Sequence, residues 1–155
     1  MKYTLKVGAF IFDSNERERL LLIKEQYRKE DGSKWNIVKG TCDKEGETLE
    51  ECVRREVLEE VGLNATDVLL RNIIHYGNNS DPKIIFIFSV FVSSLSARVA
   101  PLGIQKSLNE DISEAHWFSK EEFLKIPKED FMAQYIYDCE PFGGKKFSSA
   151  NFLKA

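Results

Sequence analysis

Glu56, Glu59 and Glu60 place three carboxylates within five consecutive residues, in a stretch whose pattern is helical. At 100° per residue, Leu49, Val53, Val57 and Val61 form one apolar stripe, and the three acids fill an arc of about 100° along its margin. They therefore converge at the edge of whatever the stripe packs against. Earlier in the helix the acids have ready partners, because Glu50 with Arg54 and Glu51 with Arg55 are favourable i,i+4 pairs. The last turn is different. Glu56 and Glu60 are like charges at i,i+4, and Glu59 and Glu60 add negative charge where the helix dipole is already negative, each defect costing a few tenths to about 1 kcal/mol. Arg55 relieves Glu59 only in part. Oxygen ligands gathered without a balancing cation suit a hard divalent ion such as Mg²⁺, which fills its remaining positions with water and phosphoryl oxygens. Such an ion stabilises charge developing on a phosphoryl group under attack.

An acidic helix is ordinarily no more than a solvated face, and the spacing of three acids does not decide between that reading and a metal site. The wider segment does. From Gly40 to Leu63 it reads GTCDKEGETLEECVRREVLEEVGL, with Glu47, seven residues, and then Arg55, Glu56, Val57, Glu59, Glu60, Gly62 and Leu63 in fixed spacing. This resembles the signature box of the Nudix hydrolase family, in which Gly, five residues, Glu and seven residues precede Arg-Glu-aliphatic-x-Glu-Glu-x-Gly-aliphatic. Every specified position from Glu47 onward matches. The one departure is that six residues separate Gly40 from Glu47.

The resemblance implies an α+β chain folded as an α/β/α sandwich, with a mixed β-sheet and the box as a loop-helix-loop. It also implies hydrolysis of a pyrophosphate linkage in a nucleoside diphosphate derivative by attack of water on phosphorus, with Mg²⁺ as cofactor and Mn²⁺ as its substitute. Glu59 and Glu60 would be the principal metal ligands. Glu56 would share the metal or act as general base, the Gly40 carbonyl would be a further ligand, Arg55 would orient the acids, and Glu47 would brace the loop. In many relatives an acid beyond the box assists. Glu110, Asp111 and Glu114 lie in that part of the chain, and Glu110 is taken as the candidate catalytic residue.

Upstream of the box, Arg28, Lys34 and Lys39 could meet phosphate oxygens, and Tyr27 or Trp35 could stack on a base. For any one of them, a surface cation or a buried ring is the commoner role. Val38-Lys39-Gly40 is similar to the Pro-Lys-Gly of dinucleoside polyphosphate hydrolases, which gives a narrow preference for dinucleoside polyphosphates or nucleoside triphosphates as substrate. ADP-ribose or nucleotide-sugar hydrolysis is the nearest alternative, followed by a non-catalytic nucleotide sensor. Isomerisation of a prenyl diphosphate would need a catalytic thiol that has no obvious place here. His75 and His116 stand alone and receive no role, and Phe86, Phe88 and Phe91 are read as core.

The elements that must position these groups follow from periodicity. Tyr3, Leu5, Val7, Ala9 and Ile11 alternate as one face of a strand, DSNERER turns, and Leu20 to Ile23 returns as a second strand. A charged loop leads to a short strand at Trp35, Ile37 and Val38. Thr48 with Glu51 is a capping box, and Gly62 is placed to end the helix. Leu69 to Tyr76 and Lys83 to Ser93 read as strands around a turn at Asn78 to Pro82, the second apolar on both faces and so central. Pro101 to Asp111 reads as a surface loop, and Ala115 to Phe118 as a strand. Ser119 with Glu122 is a second capping box, opening a helix that stops near Pro127, and a last helix is expected from about Glu129 to Cys139. One domain over 1–140 is expected, with 141–155 as an unassigned, mobile tail.

Composition sets the outer bounds. The 155 residues suit one domain, and 43% hydrophobic with 30% charged residues is a globular balance. A net charge of −3 gives no general attraction to nucleic acid, so the expected partner is a small nucleotide substrate, with the chain a monomer or homodimer. The longest apolar run is far short of the ~20 residues that cross a bilayer, and the N-terminus reads as a strand instead of a signal segment. Cys42, Cys52 and Cys139 are an odd number with no Cys-x-x-Cys pair, so no disulfide is expected, Cys42 is read as incidental, and Cys52 and Cys139 as packing residues. A reducing, cytoplasmic setting fits that reading.

Overall fold

The alternating N-terminal residues form β1 (Thr4–Phe12), and the polar turn delivers the chain into β2 (Arg19–Glu25). Asp13 closes this hairpin by accepting from the backbone N–H and from Nε of Arg19, at 3.0 and 2.6 Å. The computed structural model describes residues 2–26, 30, 32–93 and 112–143, and the backbone of 152–154. β3 (Lys34–Asn36) and β4 (Val38–Thr41) precede helix α1 (Leu49–Val61). β5 (Ala65–Asn78) and β6 (Asp81–Val92) follow, then β7 (Ile112–Ser119), α2 (Lys120–Leu124), a 3₁₀ turn (Lys128–Asp130), α3 (Tyr135–Asp138) and β8 (Phe152–Lys154).

The strands make one mixed sheet, with β6 between β1 and β5. β1 runs parallel to β6 from Thr4↔Lys83 to Phe12↔Phe91, which explains why β6 is apolar on both faces. The other edge of β1 is shared, by β2 at Ile11 and Phe12 and by β4 from Lys6 to Ala9. β2 therefore parts from β1 early and continues between β3 and β7.

α1 covers one face of the sheet, burying Cys52, Val53, Val57 and Val61 against Val7, Ala9, Ile11, Ile23, Phe88 and Val90. Each of the Val, Ile and Phe side chains contributes roughly 1.5–3 kcal/mol of transfer free energy. The opposite face carries Phe10, Leu22, Ile85, Ile87 and Phe91 under Phe123, Phe131 and Ile136 of the C-terminal segment. The result is the expected α+β sandwich. Both capping boxes form, at Thr48 with Glu51 and at Ser119 with Glu122, and Gly62 ends α1 in a left-handed conformation.

Two expectations change. The helix expected over Glu129–Cys139 is broken, because Phe131 bridges to Trp35 in extended conformation and the Met132 N–H donates to the Trp35 carbonyl at 2.7 Å. Helix resumes only at Tyr135. The segment after 140 also enters the fold. Phe142 meets the Phe12 and Phe123 rings at 5.7 and 5.6 Å, and β8 pairs in parallel with Ile73–His75 of β5. Buried Arg71, at a bulge in β5, donates to the carbonyls of Cys139, Glu140 and Gly143 and so ties this segment down.

Candidate active site

Glu56 lies on the buried side of α1, directly against Gly40 of β4. A Cβ at residue 40 would fall inside the Glu56 carboxyl group, so any residue but glycine would push that carboxyl out of its place. The additional residue of the loop does not disturb the contact. The turn is closed by the Glu47 N–H donating to the Lys44 carbonyl at 3.2 Å, with Gly46 in a left-handed conformation at φ +78°.

Arg55 organises the acids. Its Nε and Nη2 donate to both oxygens of Glu47 at 2.8 and 2.9 Å, and its Nη1 reaches Glu56 Oε1 at 2.8 Å and Glu59 Oε2 at 3.3 Å. Hydrogen bonds from Arg55 hold the Glu47 carboxyl below its ordinary range, and the same bonds hold the guanidinium in its charged form. The expected Glu51–Arg55 and Glu50–Arg54 pairs give way to other partners. Glu51 is occupied in the capping box, Arg55 turns back to Glu47, and Arg54 donates to the Ala65 carbonyl at 2.8 Å.

Glu56 and Glu60 remain under strain. Burial raises Glu56, with Arg55 opposing the rise. Burial, then Glu25, Glu56 and Glu59, raise Glu60 to about 7. Its Oε2 is buried and accepts no hydrogen bond, which leaves a carboxylate oxygen short of a donor or a cation. Among the described residues, no three acids, histidines or cysteines stand close enough to hold a metal ion. Arg55 holds both Glu56 and Glu59. The donor set still suits a hard cation, and Glu59, half-exposed and on the longest of these bonds, is the acid most easily released.

Two groups not foreseen from sequence bear on these acids by their charge. Glu25 continues the Leu21 and Ile23 row of β2, is 5% exposed, and bears on Glu60, Lys39 and Lys6 by its charge. An acid in the inward phase of an apolar strand was the available signal. Lys6 of β1 stands opposite Thr41, while Lys39 stands opposite Gly8. With Lys83 of β6 they line the sheet face turned away from α1. Burial and then Lys6 lower Lys39 to about 8, with Lys83 adding to the fall and Glu25 opposing it.

The remaining candidates divide. Lys34 pairs with Glu25 across β2 and β3. Trp35 points to the other face, edge-on to Phe118 at 4.9 Å and under Lys24 Nζ at 5.0 Å, so it is held as packing. Glu114 is exposed opposite Lys24, on the face away from the acid helix. Tyr27, Arg28, Glu110 and Asp111 lie outside the described residues.

The cysteines overturn their reading. Cys42 and Cys52 form a disulfide, with Cα atoms 5.9 Å apart, while Cys139 is free and buried as expected. Ten residues apart in sequence, they are brought together by the close approach of the box loop to α1. This bond removes the argument for a reducing compartment that rested on cysteine usage. No helix among the described residues is long and apolar enough to cross a membrane.

The NUDIX domain model matches residues 2–139. The chain belongs to the Nudix family. A NUDIX hydrolase from Nitrosomonas europaea is similar over 96% of this chain and 95% of its own, with a TM-score of 0.72 and 26% identity. The NUDIX domain of Shewanella oneidensis NrtR, solved in complex with ADP ribose, has a TM-score of 0.66 at 14% identity, covering 91% of this chain and 86% of that one. A putative 8-oxo-dGTP diphosphatase of Bacillus subtilis (strain 168) is 41% identical over 58 residues, which are 37% of this chain and 36% of that protein. The chain thus aligns with about a third of that relative's length. The family model and the fold agree on the Nudix class.

Proposed function

We propose that the chain hydrolyses dinucleoside polyphosphates or nucleoside triphosphates at a divalent-metal site on α1. The observation that carries the metal site is Glu60, a partly exposed carboxylate with one buried, unbonded oxygen beside Glu25, Glu56 and Glu59. Glu56, Glu59, Glu60 and the Gly40 carbonyl would hold Mg²⁺, which when bound supplies Lewis-acid stabilisation of charge on the phosphoryl oxygens. Arg55 fixes the direction of Glu56 and braces Glu47. Glu56, raised by burial, is suited to take the proton of the attacking water.

The substrate preference rests on Lys39, Lys6 and Lys83, which lie on the sheet face turned away from α1 and so would meet only phosphates that extend past the metal. Their combined charge exceeds what one metal-neutralised pyrophosphate needs, whereas a longer phosphate chain has outer oxygens left to satisfy. The relative described as a putative 8-oxo-dGTP diphosphatase supports this reading, and the neighbour solved with ADP ribose supports the alternative of an ADP-ribose pyrophosphatase. A panel of diadenosine tetraphosphate, nucleoside triphosphates, ADP-ribose and nucleotide sugars with Mg²⁺, scored for phosphate, pyrophosphate and nucleotide products, separates the two. Preference for ADP-ribose would overturn the polyphosphate reading, and no turnover of any substrate would overturn the enzyme.

A further inference from the structure

The Cys42–Cys52 bond spans the two halves of the acid site. Cys42 extends β4, its N–H donating to the Leu5 carbonyl at 2.9 Å, two residues beyond the Gly40 that packs on Glu56. Cys52 sits in α1, fully buried among the helix-side core, with Arg55 Nη2 at 3.8 Å from its sulfur. The loop closed by the bond contains Glu47, which Arg55 and the turn at Lys44 hold in place. One covalent link thus ties the strand of Gly40 to the helix of Arg55, Glu56, Glu59 and Glu60.

We propose that the Cys42–Cys52 disulfide is a redox latch on the acid site, closed when oxidised and opened by a cellular dithiol or small thiol. The inference rests on the metal-hydrolase reading of the acid helix. Cys42 is partly exposed and Cys52 is not, so the attacking thiolate meets the Cys42 sulfur. The S–S electron pair leaves on Cys52 Sγ, beside the Arg55 guanidinium that stabilises it. A second thiolate then attacks the reductant's sulfur in the mixed disulfide and releases Cys42. Two electrons and two protons pass to the protein, leaving two thiols, and the reductant is left as a disulfide. With the bond open, the 43–48 loop loses its tether. The Cys52 sulfur also competes with Glu47, Glu56 and Glu59 for Arg55, which loosens the carboxylates that Arg55 arranges.

The test equilibrates the full chain in glutathione buffers of graded ratio and counts alkylated Cys42 and Cys52 by mass spectrometry. Mn²⁺ binding, hydrogen exchange of the 43–48 amides and hydrolysis of diadenosine tetraphosphate are measured on the same samples. Reduction should weaken Mn²⁺ binding by about fivefold, the low end of ordinary coupling between sites, and should deprotect the loop amides in step with alkylation. Cys42→Ala, which leaves the buried Cys52 in place, should behave as the reduced protein at every ratio. Equal Mn²⁺ affinity and equal loop exchange in the two states would overturn the latch, as would full alkylation at every ratio. Failure of both states to bind Mn²⁺ or hydrolyse anything would instead overturn the metal-hydrolase reading, while redox-dependent loop exchange would still report the latch.

Discussion

Replacing Glu60 with Gln should make the metal-free protein more stable while destroying its activity. The folded protein holds the Glu60 carboxyl at about 7, against 4.5 for an ordinary glutamate, through burial first and then Glu25, Glu56 and Glu59. A carboxyl raised in this way keeps a proton that the unfolded chain has already lost. Its contribution is therefore fully favourable at low pH, and ionisation weakens the fold as pH rises from 4.5 to about 7. At 1.36 kcal/mol per unit, the ceiling above that window is roughly 3.4 kcal/mol. Because the side chain is partly exposed, water screens a share of this, and we expect about 1–2 kcal/mol. For a chain of this size that is a rise of roughly 2–8 °C in Tm. Thermal denaturation in excess EDTA at pH 8 and pH 5 is the assay, with wild type and E60Q compared at each. The gain should appear at pH 8 and shrink towards zero at pH 5, and kcat with Mg²⁺ should fall by about 10³-fold at pH 8. A lower Tm for E60Q at pH 8, or the same difference at both pH values, would show that Glu60 is a structural group and that the reasoning is wrong.

Hydrolysis should be abolished by EDTA and restored by Mg²⁺ or Mn²⁺, with full turnover in excess chelator counting against a metal site. Gly40→Ala should cost about 1–3 kcal/mol by overpacking against Glu56 and should lower kcat/KM by more than about tenfold, as read by urea denaturation and steady-state kinetics; a silent substitution would mean that the Glu56 carboxyl need not sit against residue 40. Lys39→Ala should lower kcat/KM on diadenosine tetraphosphate by about tenfold, roughly 1.4 kcal/mol, and on ADP-ribose by much less. Equal losses on the two substrates would remove the case for a polyphosphate.

Much of this was legible because its causes are local. Thr48 and Glu51 are three residues apart, Gly62 follows its helix at once, and the acids of α1 are ordered by a single helical period. The structure keeps each of these. What sequence does not show is which distant element arrives opposite. Cys42 and Cys52 pair because β4 and α1 approach closely at Gly40, a fact of packing that a cysteine count does not contain. Arg55 has Glu51 at helical spacing yet binds Glu47, because the loop returns over the helix. Trp35 reads equally well as a stacking ring or as core, and only the choice of sheet face places it on Phe118. Likewise Phe131 breaks a helix that its own neighbours would have formed, because the Trp35 backbone takes it into a bridge.

The central claim is that the acids of α1 exist to hold a divalent cation, and Mn²⁺ binding to wild type and to a Glu59→Gln, Glu60→Gln variant tests it most directly. Titration followed by electron paramagnetic resonance should show a single strong site in the wild type and its loss, by about 100-fold or more in affinity, in a variant that melts no earlier without metal. Equal Mn²⁺ affinity in the two proteins would contradict the claim.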